Sequence, residues 1–257
     1  MDANPSDWIV ALGRSHERLR SVVEPLDGDG LRGPSYASEW SIAQVLSHLG
    51  SGAELFTLFL DAGLRRAGPP GREVMEPIWA EWNAKSAEAQ ASEALVSDAA
   101  LIERIRSLDA KQREEFRLAM FGMDLDLVGL VRMRLGEHAV HTWDIAVAID
   151  PTATIAPDAV ALLVDALGPL VARSGKPTGA AQRIGVQTSE PSRRLTLEVG
   201  DPVSLTPAEH GDVPADVRLP AEALIRLVYG RLDPAHTPPE ATTHVDLAFL
   251  RSIFPGF

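Results

Sequence analysis

The segment GEHAVHTWD, at residues 136–144, concentrates side chains of the types that bind metal ions in proteins. On a helix, Glu137, His141 and Asp144 are spaced by four and then three positions, so all three lie on one face. A carboxylate and an imidazole four positions apart can reach one cation, as two histidines at that spacing do in zinc proteases. His138 and His141 form an alternative pair, and spacing alone does not choose between Glu137 and His138.

A third ligand must come from another helix, because two ligands on one helix make a weak site. The candidate is His48 in VLSHLG, at the margin of an apolar helical stripe, from where it can point toward a helix-bundle interior. His16 lies on the core stripe of the first predicted helix, so it either faces the same cavity or is a hydrogen-bonded core histidine. Four tryptophans are interpreted as packing residues: Trp40, Trp79, Trp82 and Trp143.

Composition limits the possible functions of the chain. Its 257 residues, 45% of them hydrophobic, suffice for one large domain or two smaller ones. The absence of cysteine excludes disulfides and thiolate ligands, so a cation must be held by His, Asp, Glu or backbone oxygen and any reacting thiol comes from outside. The formal charge of −12 argues against nucleic acid as a partner. With no signal-peptide pattern and no apolar run of ~18 residues, we expect a cytoplasmic protein that does not bind membranes.

Helical periodicity predicts a bundle in the first part of the chain. The second predicted helix opens with a capping box, in which Ser41 caps the helix and Gln44 reaches back. The segment RAGPPGREVMEP is rich in helix-breaking residues and is interpreted as a connection. Long helices joined in this way are typical of a four-helix bundle. The predicted helices span residues 6–24, 41–64, 78–108 and 125–149.

A different pattern begins after Pro157. One more helix is predicted over residues 157–175, followed by the short apolar runs RIGVQT, RRLTLEV and ADVRLP, which are typical of strands. The segments AEALIRLVYGRL and VDLAFLRSIF predict two short helices. We therefore predict a helical domain over residues 1–152 and a smaller α+β domain over residues 153–257.

Two of these segments together resemble a known family. EWSIAQVLSHLG, followed further along the chain by EHAVHTWDIAVA, resembles the mycothiol-dependent maleylpyruvate isomerase family, part of the DinB-like group of metal-binding four-helix bundles. The ending VDLAFLRSIFPGF is similar to the tail of many members. The resemblance implies a DinB-like four-helix bundle followed by a C-terminal α+β domain similar to sterol-carrier-like folds. It also implies that His48, Glu137 and His141 are the metal ligands, which favours Glu137 over His138.

The resemblance further implies a metal-dependent enzyme, with Zn²⁺ as the metal and mycothiol as thiol cofactor or cosubstrate. A zinc-bound thiol ionises at neutral pH and so supplies a thiolate nucleophile. In the family's reaction the thiolate adds to the cis double bond of maleylpyruvate, rotation follows, and elimination gives trans fumarylpyruvate. The expected partners are a small-molecule thiol and an electrophilic substrate, which is anionic in the case of maleylpyruvate. The enzyme is expected to act as an isomerase or S-transferase and to be a monomer or a weak homo-oligomer. The alternatives are a non-catalytic metal-containing small-molecule binding protein and a hydrolase using zinc-bound water.

Three further residues receive roles in this interpretation. Asp144 either accepts a hydrogen bond from a ligand histidine or is a helix-surface carboxylate, and in a hydrolase it would be the general base. Arg231 in LVYGRL resembles a recurrent arginine that faces the cleft between domains in the family, where its planar fork suits a carboxylate. The alternative is a solvated arginine at a helix end. Asn83, four residues after Trp79, is a candidate for a cofactor contact.

Overall fold

Most helices in the first part of the chain begin at residues whose side chains cap them. In a computed structural model, Asn4 accepts a hydrogen bond from the backbone N–H of Ser6 and precedes α1 (Pro5–Val23). The predicted capping box opens another helix at Ser41, and Asp126 accepts from the N–H of Gly129 at 2.7 Å. These side chains satisfy N–H groups that the first turn of a helix leaves without partners.

The chain divides into two units, Met1–Thr154 and Ile155–Phe257. The structure describes residues 4–37, 39–179, 181–209 and 214–256. The predicted domain boundary, between residues 152 and 153, lies two residues before this division. Within the described ranges, every helix is too short or too polar to cross a membrane.

The first unit is a helical bundle with one small hairpin. In it, α1 and α3 (Ile42–Leu64) each pack against both α5 (Ala87–Arg106) and α7 (Leu127–Ile149), which confirms the predicted four-helix bundle. Its core contains Leu19, Leu46 and Ile145, and burying each such side chain stabilises the fold by roughly 1.5–3 kcal/mol. The elements after α1 are α2 (Gly28–Arg32), α3 (Ile42–Leu64), α4 (Arg72–Ala84), α5 (Ala87–Arg106), α6 (Ala110–Glu115), β1 (Leu118–Met120), β2 (Met123–Leu125) and α7 (Leu127–Ile149).

The predicted single helix over residues 78–108 is wrong. Lys85 adopts an extended conformation and ends α4, and the side chain of Ser86 accepts from the N–H of Ala89 to start α5. No glycine or proline marks this break, so the local sequence contains no helix-breaking residue that would predict it. The break lets Trp82 pack over Gly50 of α3, where a Cβ atom would overlap the indole ring.

A short hairpin that the sequence did not predict connects the third and fourth bundle helices. In it β1 and β2 pair antiparallel, with Leu118 opposite Leu125 and both side chains buried. Phe121 and Gly122 form the turn with φ angles of 54° and 73°. Two successive positive φ angles match the twist of hairpin strands, and glycine supplies one of them without strain.

The second unit combines a mixed sheet with short helices, which confirms the predicted α+β fold. The predicted helix over residues 157–175 is divided, because Pro169 has no N–H to continue the hydrogen-bonding pattern. The elements are α8 (Pro157–Leu163), α9 (Gly168–Ser174), β3 (Gln182–Ser189), β4 (Arg193–Val199), β5 (Ser204–Pro207), β6 (Ala215–Pro220), α10 (Ala221–Val228), β7 (Thr242–Thr243) and α11 (Leu247–Ile253), with 3₁₀ turns at Val164–Ala166 and Pro234–His236.

The sheet has the strand order β5-β4-β3-β6-β7. The strand β3 pairs antiparallel with β4 and parallel with β6, and β5 and β7 extend the two edges in antiparallel pairing. The three predicted strands lie within β3, β4 and β6. The two edge strands are four and two residues long, too short for an alternating pattern to stand out in the sequence.

Candidate metal centre

Three side chains from two helices, α3 and α7, converge in the first unit. The Nε2 atom of His48 lies 3.5 Å from Oε2 of Glu137, and Nε2 of His141 lies 3.6 Å from the same oxygen. One ligand atom from each residue lies within 4.8 Å of the other two. We call His48, Glu137 and His141 the exposed cluster. The structure therefore brings together the three predicted ligands, and metal binding by them stays a prediction.

The spacing within the exposed cluster suits a shared cation. Ligand atoms around a tetrahedral zinc, with bonds of ~2.1 Å, lie about 3.4 Å apart. The two distances to Glu137 are close to this value and longer than an ordinary N–H···O hydrogen bond, which is about 2.7–3.2 Å. The residues present thus fit a three-ligand site.

Electrostatics favour the ligating forms of two of these residues. Burial alone would raise the pKa of Glu137, but the nearby imidazoles of His141 and His48 outweigh it and lower that pKa below its usual range. Burial lowers the pKa of His48, against the opposing hydrogen bond with Glu137. At neutral pH the cluster therefore offers an ionised carboxylate and a neutral imidazole.

Asp144 orients one of the two cluster histidines. Its Oδ2 atom lies 2.9 Å from Nδ1 of His141, and its side chain is fully buried. An ionised carboxylate can only accept, so Nδ1 carries a proton, and in the neutral imidazole Nε2 is the nitrogen that can bind a cation. Burial lowers the pKa of His141, but Asp144 and Glu137 outweigh it and raise that pKa. The burial excludes the helix-surface alternative for Asp144.

Trp40 forms a wall beside the exposed cluster. Its ring centroid lies 5.4 Å from that of His48 and 6.4 Å from that of His141. Trp40 is 39% exposed, although its carbonyl is fixed by a 3.0 Å hydrogen bond from the N–H of Ser35. The interpretation of the tryptophans as packing residues holds for the buried Trp82 and Trp143, but not for the exposed Trp40 and Trp79.

A second group of histidines and a carboxylate lies inside the same bundle. Asp98 Oδ2 is 2.8 Å from Nδ1 of His16 and 3.0 Å from Nε2 of His138. Asp98 Oδ1 accepts from Nη2 of Arg134 at 2.8 Å, and His138 Nδ1 contacts Ser15 Oγ at 2.8 Å. We call His16, Asp98 and His138 the buried cluster. His16 is therefore hydrogen-bonded inside the bundle, and His138 lies apart from the exposed cluster.

Sequence reasoning missed Asp98, and a signal for it was present. It lies on α5 four residues after Ala94 and three before Leu101, which puts a carboxylate on the buried face. Such a position needs a hydrogen-bonding or charged partner. Burial raises the pKa of Asp98, but the charges of His138 and Arg134 outweigh it and hold that pKa well below its usual range.

The family is decided by comparison with known proteins. The family model for the mycothiol maleylpyruvate isomerase N-terminal domain matches residues 12–146, which is more than half of the chain and includes all ligand candidates. The chain belongs to this family. Among curated protein sequences, none matches it.

Two solved structures resemble the chain over most of its length. They are a crystal structure of the mycothiol-dependent maleylpyruvate isomerase and a histidine-to-alanine mutant of it. Each matches with a TM-score of 0.67 and 14% sequence identity, covering 94% of this chain and 98% of that chain. At this identity the likeness shows that the family's isomerase and this chain share a fold.

Two predicted cofactor contacts lie outside both clusters. Asn83 is exposed on α4, and its Oδ1 accepts from Oγ of Ser47, the residue before His48, at 3.1 Å. Arg231 is half-buried in the second unit, beyond the residues that the isomerase family model matches, and its Nη1 donates to the Tyr229 carbonyl at 2.6 Å. Contacts of Asn83 and Arg231 with a cofactor or substrate stay predictions.

Proposed function

We propose that this protein is a metal-dependent enzyme that uses mycothiol as thiol cofactor or cosubstrate, acting as an isomerase or an S-transferase. The observation that carries the proposal is the convergence of His48, Glu137 and His141 in a chain of the maleylpyruvate isomerase family. Zn²⁺ is the metal that we assign to these ligands, since nitrogen and carboxylate oxygen at this spacing suit it.

His48 and His141 would hold the cation through their Nε2 atoms, and Glu137 through its carboxylate. Three protein ligands leave a coordination position open, which is the arrangement of catalytic rather than structural zinc sites. When bound, such a cation lowers the pKa of a thiol, so that the thiol is ionised at neutral pH. The chain contains no cysteine, so this thiol belongs to a small molecule.

The residues around the exposed cluster orient the ligands and shape the space beside them. Asp144 keeps the His141 proton on Nδ1, so Nε2 stays available. Trp40 gives the site an apolar wall, against which the body of a substrate can pack. Both residues act on binding and orientation, so we assign them positioning roles.

The isomerase reaction needs no redox partner. When bound, the thiol would supply a nucleophile that adds to one carbon of an activated cis double bond, with the displaced electron pair moving onto the conjugated carbonyl. This addition would allow rotation about the resulting single bond, and elimination would then release the thiolate with its electron pair. The thiol is regenerated and the product is the trans isomer. An S-transferase would keep the carbon–sulfur bond instead.

One rival function is disfavoured by a specific observation. A hydrolase using metal-bound water needs a general base that can reach that water. Asp144, the candidate base, has a side chain with no exposed surface and a 2.9 Å contact with His141. It is therefore occupied in holding the imidazole.

The test compares metal content and thiol-dependent turnover in matched variants. Wild-type protein, His48→Ala, His141→Ala and the control His244→Ala are analysed for bound metal, and His244 is an exposed histidine of the second unit. Each is then assayed with mycothiol and either maleylpyruvate or a simple electrophile. We expect one metal per chain and turnover in wild type and His244→Ala. Since losing only an outer hydrogen bond already weakens metal binding ~10–100-fold, both ligand variants should lose metal and at least ~100-fold of turnover.

Two outcomes would count against the proposal in different ways. Unchanged metal content in His48→Ala and His141→Ala would remove the exposed cluster as the metal site. Metal-loaded wild type that turns over neither electrophile with mycothiol would instead favour a non-catalytic binding protein.

A further inference from the structure

A cleft of about 710 Å³ opens in the first unit among α1, α2 and α5. Its apolar lining includes Val23, Leu31, Ala91 and Leu95, and no residue of the exposed cluster lines it. The volume lies in the range of about 300–1,000 Å³ that small-molecule sites occupy. The cleft is therefore large enough for a ligand of its own.

One buried polar side chain, His16, reaches the wall of this cleft. Its Nδ1 atom lies 2.8 Å from Oδ2 of Asp98, which is ionised beside Arg134 and can only accept. The proton of a neutral His16 is thus on Nδ1, and Nε2 is an acceptor. Among the residues that the structure describes, none makes a hydrogen bond to Nε2 of His16. A ligand that donates a proton to this atom would satisfy it.

The acceptor is held in place before any ligand arrives. Asp98 is 1% exposed and is fixed from a second side by Arg134, which also donates to the Leu49 carbonyl at 2.9 Å. Because His16 is bonded to a carboxylate that cannot move freely, its imidazole ring has little freedom. Preorganisation of this kind reduces the entropy lost on binding.

The charges that line the cleft disfavour anions. Three carboxylates, those of Glu24, Asp27 and Glu88, accompany the guanidinium of Arg20 in the lining. Two carboxylates, those of Glu17 and Glu24, already compete for this guanidinium, and Glu88 is paired with Arg32, so acidic groups outnumber basic ones around the cleft. An uncharged or cationic molecule fits this lining.

We propose that the cleft is a second small-molecule site, separate from the exposed cluster, for an apolar ligand that ends in a hydrogen-bond donor and carries no negative charge. The donor group, a hydroxyl or an ammonium, bonds to Nε2 of His16. The apolar body of the ligand packs against Val23, Leu31 and Leu95. This site is independent of the function proposed for the exposed cluster.

Four naphthalene derivatives test the proposed chemistry on the full-length, metal-loaded protein. A naphthol and a naphthylmethylammonium ion carry a donor, the methyl ether of the naphthol has none, and a naphthoate is an anion. We expect a donor ligand to bind about 3–10-fold tighter than the ether, the contribution of one hydrogen bond, and the naphthoate to bind most weakly. Dissociation constants come from fluorescence titration, and the naphthol and the ammonium ion distinguish the two kinds of donor.

Matched variants locate the binding. His16→Phe should abolish the preference for a donor, and Ser92→Trp should block all four ligands, because Ser92 is an exposed residue of the lining. The controls are His244→Phe and Ser252→Trp, which alter exposed residues of the second unit. His48→Ala should leave the affinities unchanged.

Equal affinities of the naphthol, the ammonium ion and the ether for wild type would overturn the assignment of a hydrogen bond to His16. A donor preference that survives His16→Phe would do the same. Ligand binding that survives Ser92→Trp, or loss of binding in His48→Ala, would show that the ligands bind elsewhere. If His16→Phe fails to fold, the ligand series and Ser92→Trp decide the question.

Discussion

The bundle contains two clusters of the same chemical types, two histidines and one carboxylate, that differ in spacing and in exposure. In the exposed cluster the carboxylate oxygen lies 3.5 and 3.6 Å from the two imidazole nitrogens, and the His48 and Glu137 side chains are 38% and 37% exposed. In the buried cluster the matching distances are 2.8 and 3.0 Å, and the Asp98 side chain is 1% exposed. The first spacing leaves room for a cation, whereas the second brings nitrogen and oxygen into direct contact.

The difference in spacing between the two clusters is better explained by charge balance than by residue type. Asp98 of the buried cluster already has a cation, since Arg134 Nη2 lies 2.8 Å away. A divalent metal added there would leave excess positive charge in a buried, weakly screened environment. Among the contacts that the structure describes, the ionisable partners of Glu137 are the imidazoles of His48 and His141, without an arginine or a lysine. A metal at the exposed cluster would be the cation that Glu137 otherwise lacks.

A hydrogen bond from Arg134, the partner of Asp98 in the buried cluster, also reaches the backbone beside His48. Nη2 of Arg134 donates to the carbonyl of Leu49, the residue after His48. This bond joins α7 to α3 beside the residues that we propose as metal ligands. Arg134 thus contributes one hydrogen bond to the packing of α7 against α3.

The largest expected effect contrasts the two carboxylates in metal-free protein. Asp98→Asn leaves the buried Arg134 without its counter-charge, and breaking a buried pair in this way costs about 3–5 kcal/mol of unfolding free energy. Glu137→Gln alters a partly exposed group, for which a change of about 0–1 kcal/mol is expected. Urea unfolding of both variants measures this difference.

A double variant serves as the control for this contrast. Asp98→Asn combined with Arg134→Met removes both charges of the pair, so it should recover part of the lost stability. Metal content should behave in the opposite way, with loss in Glu137→Gln and retention in folded Asp98→Asn. Equal destabilisation by the two single substitutions would show that the clusters do not differ as described.

The sequence predicted much of the fold because the signals for it are local. The capping box at Ser41 and the apolar stripes gave the bundle helices, and alternating runs gave β3, β4 and β6. The break at Lys85 was missed because it depends on the packing of Trp82 against α3 rather than on a breaking residue. Tertiary packing overrode local helix propensity there.

For the site, the sequence brought forward His48, Glu137 and His141 through spacing and family resemblance, and the structure places them together. It could not assign His138, although that residue adjoins Glu137 in sequence. A helix turns about 100° per residue, so His138 faces the bundle interior and meets Asp98 from α5. The pairing depends on which helices become neighbours, and periodicity within one helix does not contain that information.

An intermediate effect is expected at Asp144, which separates orientation of a ligand from ligation itself. Asp144→Asn keeps the size of the side chain and an acceptor oxygen but removes the charge that holds the His141 proton on Nδ1. Metal affinity should fall ~10–100-fold, as for other substitutions in the hydrogen-bonding shell of a metal ligand. Asp150→Asn, at the exposed end of the same helix, is the control. Chelator competition gives the affinities, and equal values for the two variants would remove the positioning role.

The smallest effect is a dependence of metal affinity on pH that distinguishes the two cluster histidines. Burial opposes protonation of His141, but Asp144 and Glu137 outweigh it and raise its pKa, whereas the pKa of His48 is lowered by burial. Both imidazoles must be unprotonated at Nε2 to bind a cation. Over the range of about pH 5–8, where histidine titrates, one proton should therefore leave on binding.

Affinity should accordingly rise tenfold per pH unit up to the pKa of His141 and level off above it. The stability of the metal-free protein should change with pH in the opposite direction to metal affinity. A raised histidine pKa stabilises the folded state at low pH, and this stabilisation is lost as pH rises through that pKa. Chelator competition across the range measures the slope, and Asp144→Asn should move the onset of the plateau to lower pH. If affinity instead rose a hundredfold per pH unit, two protons would leave on binding and His48 would also titrate in this range. The predicted difference between the two histidines would then be wrong.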